Sequence, residues 1–373
     1  MLSRTKLMKT FTTFDRPSGW SSLADAFRED FAGGHRIQMA PWGGLAILGH
    51  SELSALARNP AADGMAPDET AMAETPAIYH LLTRSVFTKS GEPHRADRAA
   101  LIAALNRVGI PAIARAAIAT LPETASHLDL REDVIAPLVR AVWASVIGYD
   151  REGALALERA VQDMSHVLSM APDLSKAAIA DAAAREAHAR SLAALANGAP
   201  FARALQASLG AETAADLIAG MAFDAIETST IGLTASLRVA AAHRDALTPT
   251  PQCANECLRL VSPAPMTMRL TTAPVTLGDV QIAPGTALAM VWAAGNHDPR
   301  AFPAPERFIP SRADARPLMF GMGQHACLGH ALVRATLQEL LAFFLARQPE
   351  ITGDTSGWNI LLPADLPPLK ISW

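Results

Sequence analysis

Through the first two thirds of the chain, apolar residues recur every three to four positions in alanine-rich stretches, a period that predicts helices. These fall at about 95–120, 129–148, 152–169 and 174–197. The longest pattern runs from about Ala211 to His243, and at 1.5 Å per residue a helix there is roughly 50 Å long. Pro249 and Pro251 end it. One early interruption has a different period: Arg36–Met39, then Pro41-Trp42-Gly43-Gly44, then Leu45–Leu48 reads as a hairpin about a Gly-Gly turn. Pro60 to Glu74 is polar and turn-rich, hence a loop. From Met266 to Ala294 the runs become short and strand-like, with turns at Gly278-Asp279 and Pro284-Gly285. Residues 295–328 are irregular and proline-rich, and a last amphipathic helix covers about 329–347. With no internal repeat or linker, the expected architecture is one domain over residues 1–373, mainly α with small antiparallel β-sheets.

Composition narrows the function classes. Acids outnumber bases by 36 to 32, for a formal charge of −4, which argues against a nucleic-acid binder. A chain of 373 residues buries roughly 75% of its unfolded surface without a disulfide or metal staple. Cys253, Cys257 and Cys327 are too few for a disulfide framework and fit a reducing, cytoplasmic setting. No run approaches the 18 apolar residues of a membrane span, and Met1–Pro17 lacks the apolar core of a secretory signal. Neither a membrane anchor nor a leader is expected.

The most informative segment is Phe320-Gly321-Met322-Gly323-Gln324-His325-Ala326-Cys327-Leu328-Gly329. Glycines let the backbone take φ > 0 and come close to a flat ligand. A cysteine at the start of a helix meets backbone N–H groups and the positive dipole end, which favour thiolate. Such a sulfur suits an axial iron ligand; a buried free cysteine capping a helix is the competing reading. Composition alone produces Phe, Gly, Cys and Gly at this spacing in roughly four chains per ten thousand of this length.

The string resembles the haem-binding loop of the cytochrome P-450 family, Phe-x-x-Gly-x-His-x-Cys-x-Gly in its bacterial form. The resemblance implies the family's fold, with a long central helix over haem b (iron protoporphyrin IX), and makes Cys327 the iron ligand, with Phe320, Gly321 and Gly329 beside the cofactor. Glu256-Cys257-Leu258-Arg259 resembles the family's structural Glu-x-x-Arg motif, for which Arg307 is the expected third charged partner. Glu92-Pro93-His94, with Arg98 one turn later, resembles its Pro-x-His-x-x-x-Arg helix. By the same resemblance His94, Arg98, Arg269 and His325 are propionate partners, through charge-assisted bonds. Asn296-His297-Asp298-Pro299, with Phe302, resembles a structural landmark.

Within the long helix, Asp224-Ala225-Ile226-Glu227-Thr228-Ser229 resembles the family's Ala/Gly-Gly-x-Asp/Glu-Thr-Thr motif, making Glu227 and Thr228 the acid–alcohol pair that relays protons toward dioxygen. A threonine here can also bond back to the carbonyl of Asp224. Asp224 departs from the pattern and has no assigned role, while Ala225 and Ser229 replace a glycine and a threonine. Only 27 residues separate Thr228 from Glu256, so the intervening helix is expected to be truncated around His243–Pro251.

The resemblance implies a monooxygenase that inserts one oxygen atom of O2 into a small, largely apolar substrate. With no flavin or ferredoxin region in this chain, a separate ferredoxin-type donor with its reductase is expected, with Arg95 and Arg334 as candidate contacts. Candidate substrate contacts are Met221, Ala225, Ala264, Met266 and Ile360, and the loop near Tyr79, His80 and Leu81. Two rivals stay open, a peroxide-driven haem-thiolate enzyme and a non-catalytic haem carrier or sensor.

Overall fold

A computed structural model describes residues 10–11, 23–168, 172–313, 316–353 and 367–373. Along the chain, α1 (Leu23–Ala32) precedes the hairpin of β1 (Ile37–Met39) and β2 (Leu45–Ile47), then α2 (His50–Arg58) and β3 (Ala62–Asp63). Four helices and a strand follow: α3 (Pro76–Arg84), α4 (Gly91–Leu105), α5 (Ile110–Ile118), β4 (Leu128–Asp129) and α6 (Ala136–Ile147), the last entered through a π-helical turn at Leu130–Ile135. Next come α7 (Arg151–Ser165), α8 (Ala177–Leu195), α9 (Pro200–Leu209) and α10 (Ala211–Ala242). After α11 (Pro251–Val261) the chain makes β5 (Thr267–Thr271), β6 (Val275–Leu277), β7 (Val280–Ile282) and β8 (Ala287–Met290). It ends with α12 (Trp292–Gly295), α13 (His330–Arg347), β9 (Glu350–Thr352) and β10 (Lys370–Ser372).

The chain divides into two compact units. The first holds residues 1–64, 123–131 and 231–373. Its largest sheet has the order β1-β2-β8-β5-β3. The predicted hairpin forms there, with Ile37 opposite Ile47 and Met39 opposite Leu45. Both turn glycines, Gly43 and Gly44, have φ near +90°, which a side chain would resist. Three of the sheet's four ladders are antiparallel, as expected, and the fourth departs from that expectation: β2 runs parallel to β8, with Ala46 opposite Ala289. Parallel pairing needs a long crossover, and here about two thirds of the chain, residues 48–286, lies between the two strands. One buried cluster joins Leu45, Ile47, Leu53, Leu56, Leu288, Met290, Trp292 and Leu318 to Met322 of the cysteine loop.

The second unit holds residues 65–122 and 132–230 and is helical. Ala180, Ala183, Ala184 and Ala187 bury the inner face of α8, and α7 packs against it with Leu157, Val161 and Met164. Small side chains let the two axes approach closely. The N-terminal part of α10 is apolar almost all round, with Ala214, Ala215, Leu217, Ile218, Ala219 and Ala222 buried, the signature of a core helix.

Several boundaries move. The stretch expected as one helix at 95–120 is two, because Gly109 and Pro111 start α5 anew. The segment with Tyr79, His80 and Leu81, expected as a loop, is α3, with Pro76 at its first turn. Between α10 and α11 there is only a 3-10 turn at Arg244–Ala246, matching the expected truncation. Thr250 caps α11 by accepting from the Cys253 N–H at 3.3 Å, and Pro251 follows where no N–H is needed. Among the described residues no single helix is long and apolar enough to cross a membrane.

Candidate active site

In the first unit, the glycine–cysteine segment forms a loop that leads into α13. The Cys327 N–H donates to the Phe320 carbonyl at 2.8 Å, closing the loop on itself. Gly321 and Gly323 have φ of +61° and +68°. Gly323 is needed twice over, since a Cβ there would lie 1.8 Å from the Ala57 carbonyl oxygen at the end of α2. Gly329 precedes α13, and a Cβ on it would stand 3.8 Å from Cys327 Sγ. The Phe320 ring meets His330 edge-on at 6.1 Å. Of the three free cysteines, Cys253 and Cys257 are buried while Cys327 is exposed. The reachable sulfur is the one that the loop presents.

Two of the expected propionate partners belong to this unit. His325 Nε2 lies 3.0 Å from Asp63 Oδ1, which also accepts from Gln324 Nε2 at 3.1 Å. Asp63 therefore orients both loop side chains from β3. Arg269, on β5, is buried, and burial lowers its pKa to about 10 against the opposing pull of Asp63. A guanidinium desolvated to that degree favours a further anion. Sequence reasoning missed Asp63, which sits in a stretch read as loop, with no motif to mark it.

Behind the loop, Glu256 and Arg259 are paired through two bonds, Nε to Oε2 at 2.7 Å and Nη2 to Oε1 at 2.9 Å, with both side chains essentially sealed from solvent. The third charged partner is Arg312, whose Nε donates to Glu256 Oε1 at 2.9 Å. This corrects the expectation for Arg307. Arg307 is exposed and contributes only its main-chain carbonyl, which accepts from Arg259 Nη2 at 3.3 Å and Arg312 Nη2 at 3.1 Å. Arg259 Nη1 also donates to the carbonyls of Asn296 and Pro305, and Asn296 accepts from the Leu318 N–H at 2.6 Å, just ahead of the loop. The Asn296–Asp298 landmark is thus wired into the same cluster.

In the second unit, Thr228 donates to the Asp224 carbonyl at 2.8 Å, the back-bond its position allows. Glu227 acts on Glu158 of α7, whose pKa is raised mainly by burial, against the pull of Arg140, with Glu132 and Glu227 pushing the same way as burial. Asp224 accepts from Ser85 Oγ at 3.3 Å, and burial raises its pKa to about 7. His94 is buried on α4, with Arg98 half-buried one turn later on the same face. Arg95 points away from that face and is held in an exposed ion pair with Glu92.

Met221 is buried and Ala225 half-buried on α10, and Ala264 and Met266 are half-buried ahead of β5. Ile360 lies outside the described residues.

The residues fit a haem. An accessible sulfur sits on a loop whose glycines keep side chains off a flat ligand, and a buried guanidinium and an oriented imidazole accompany it for a dianionic edge. This loop, backed by a buried Glu–Arg–Arg cluster, has what a haem-thiolate site requires.

Comparison with known proteins agrees. The cytochrome P450 family profile matches residues 226–348. A putative cytochrome P450 140 of Mycobacterium tuberculosis is 39% identical over 29% of this chain and 25% of its own length. A biotin biosynthesis cytochrome P450 of Bacillus subtilis is 34% identical over 28% of this chain and 26% of its own. The matched segment thus spans about a quarter of these curated relatives. The fold match is wider. The structure of P450BioI in complex with acyl carrier protein ligated to hexadec-9Z-enoic acid superposes with a TM-score of 0.80 at 19% identity, covering 93% of this chain and 97% of that one. The P450 heme domain of Tepidiphilus thermophilus gives 0.74 at 18%, over 99% and 96%. Residues 226–348 thus match the cytochrome P450 family, and the fold as a whole is the one seen in solved cytochrome P450 structures.

Proposed function

We propose that this protein is a monooxygenase that inserts one atom of O2 into a small, largely apolar organic substrate, drawing two electrons from a separate ferredoxin-type donor with its reductase. The observation that carries the reading is Cys327, the exposed thiol among three, held at the head of α13 by a loop bonded to its own backbone. Bound haem b supplies oxygen activation, and a thiolate on its iron favours O–O cleavage. In this reading residues 1–373 act as one catalytic domain in the cytoplasm.

The chain's own residues divide the work. Cys327 ligates iron, with Phe320, Gly321 and Gly329 lining the macrocycle's edge of the loop. His94, Arg98, Arg269 and His325 hold the propionates, and the buried Glu256–Arg259–Arg312 cluster keeps the loop in place. Glu227 takes up protons and Thr228 passes them on through its hydroxyl. Met221, Ala225, Ala264 and Met266 supply apolar contacts to the substrate.

The test is spectroscopic first. The reduced carbonyl complex of the holoprotein is expected to show the thiolate-type Soret band; a band typical of imidazole ligation would overturn the reading. Turnover is then compared with a surrogate ferredoxin, reductase and O2, or with peroxide alone. Product from peroxide only would mark a peroxygenase, and none from either a carrier or sensor.

A further inference from the structure

Asp224 has no part in the chemistry described so far, and its setting is costly. It lies in mid-helix on α10, where positions 221, 224, 225 and 228 recur at i, i+3, i+4 and i+7 and so share one face. That face carries Thr228 one turn, about 6 Å, further along the axis. The Asp224 carboxyl receives a single hydrogen bond among the described residues, from Ser85 Oγ at 3.3 Å onto Oδ2. Burial and that one hydroxyl are the influences on its ionisation, and no cation is among them.

The hydroxyl is itself aimed. Ser85 is buried at the end of α3, and its Oγ accepts from the Phe87 N–H at 3.1 Å, which turns the hydroxyl proton toward Asp224. Gly220, one turn before Asp224, makes room for it, because a Cβ there would stand 3.1 Å from the Ser85 Cβ. A desolvated carboxylate with one long hydroxyl bond is a poor structural tie, since a neutral amide could join α3 to α10 without the cost of a charge. Among the described residues Oδ1 receives no donor, on the face that holds the proposed reaction residue. What this oxygen lacks is a positive partner.

We propose that Asp224, oriented by Ser85, is the polar anchor of the substrate site and selects substrates that carry a cationic nitrogen on an apolar body. The inference rests on the monooxygenase reading of Thr228 and sharpens its substrate class. Met221 and Ala225 flank the anchor with apolar surface, so the same face accommodates a hydrocarbon body. A cation at Asp224 would stabilise the carboxylate form, which burial alone disfavours.

The test uses the ferric holoenzyme and two ligands of one shape, (4-phenylbutyl)trimethylammonium and its uncharged isostere 1-phenyl-5,5-dimethylhexane. The quaternary nitrogen cannot ligate iron, so only the charge differs. Equilibrium dialysis gives the ratio of the neutral to the cationic Kd. Asp224→Asn is expected to lower this ratio about ten-fold, and Ser85→Ala to lower it in the same direction by less. A ratio in Asp224→Asn within about three-fold of wild type overturns the proposal. If that variant does not load haem, the same readout is taken on Ser85→Ala, where an unchanged ratio overturns it. The reduced carbonyl spectrum is recorded on each sample. A thiolate band with no charge preference removes the anchor alone, whereas loss of the thiolate band in wild type removes the enzymatic reading itself.

Discussion

Arg312 Nε lies 2.9 Å from Glu256 Oε1, joining residues 56 apart in sequence inside a cluster almost closed to water. Glu256 thereby faces two guanidinium groups, and its Oε1 also accepts from the Ile309 N–H at 3.0 Å. This carboxylate accepts three hydrogen bonds on Oε1 and one on Oε2, from α11 and from the irregular segment before the cysteine loop. Breaking such a cluster from one side leaves a buried charge uncompensated, which typically costs about 3–5 kcal/mol.

Glu256→Ala and Arg312→Ala are therefore expected to destabilise the protein by about that amount and to lower its haem content on purification. Arg307→Ala removes an exposed side chain and keeps the carbonyl that the cluster uses, so a change within about 0.5 kcal/mol is expected. Denaturant melts of the three variants check both halves. Equal losses at Arg307 and Arg312 would contradict the arrangement.

Cys327→Ala deletes an exposed sulfur, so the fold should survive with a near-native circular dichroism spectrum. The thiolate-type band of the reduced carbonyl complex should vanish. Cys257→Ala is the counterpart: it opens a small cavity in a buried site, expected to cost stability by about 1 kcal/mol while leaving that band in place.

Thr228→Ala removes a hydroxyl bonded to the Asp224 carbonyl while leaving the backbone ladder of α10 intact. Haem binding and stability should change little. Electron use should separate from product formation, with peroxide released in place of product. Full coupling in the variant, read from the ratio of product to reductant consumed, would remove the hydroxyl from the proton path.

Two groups, His297 and Asp224, pull the pH dependence of stability in opposite directions. His297 is held neutral, its pKa lowered to about 3, first by burial and then by Arg259 and Arg312. As pH falls below the unfolded value of 6.5 the unfolded chain takes up a proton that the folded one refuses, so this contribution is present above 6.5 and is lost toward about 3. Between pH 7 and 5 the loss is about 2 kcal/mol. Asp224 has the reverse sign: its folded pKa is raised to about 7 from 3.8, so stability is lost as pH rises through that interval. His297→Gln should flatten the acid limb of the stability curve, and Asp224→Asn should gain stability relative to wild type at pH 8 but not at pH 4. Melting temperatures of both variants across pH 4–8 check the two signs. Parallel curves for wild type and variant would show that the residue does not titrate on unfolding.

The long helix, the hairpin and the strand region after Met266 were legible because their periods run long enough, or their turns are marked clearly enough, to outweigh local noise. Helices such as α2, α3 and α9 are nine or ten residues long and offer too few turns for the period to stand out. The cysteine loop was readable as a string because its glycines are fixed by backbone geometry, as Gly323 against Ala57 shows. Arg312 was not readable, since a motif records which residue types recur and not whether a side chain or a main-chain carbonyl makes the bond; Arg307 occupies the expected place and serves through its backbone. Asp63 and Ser85 were invisible for a related reason. Each is an ordinary polar residue whose meaning comes from a partner far away in sequence.

The pairing of His325 with Asp63 spans 262 residues, and β2 likewise waits for β8 before its second edge is filled. On the ribosome, the first 64 residues therefore emerge without β5 and β8, which will flank them, and the cysteine loop is assembled only once translation has passed Cys327. Cofactor capture is in this sense a late event in biosynthesis, and a prematurely terminated product has no thiol cradle with which to compete for free porphyrin.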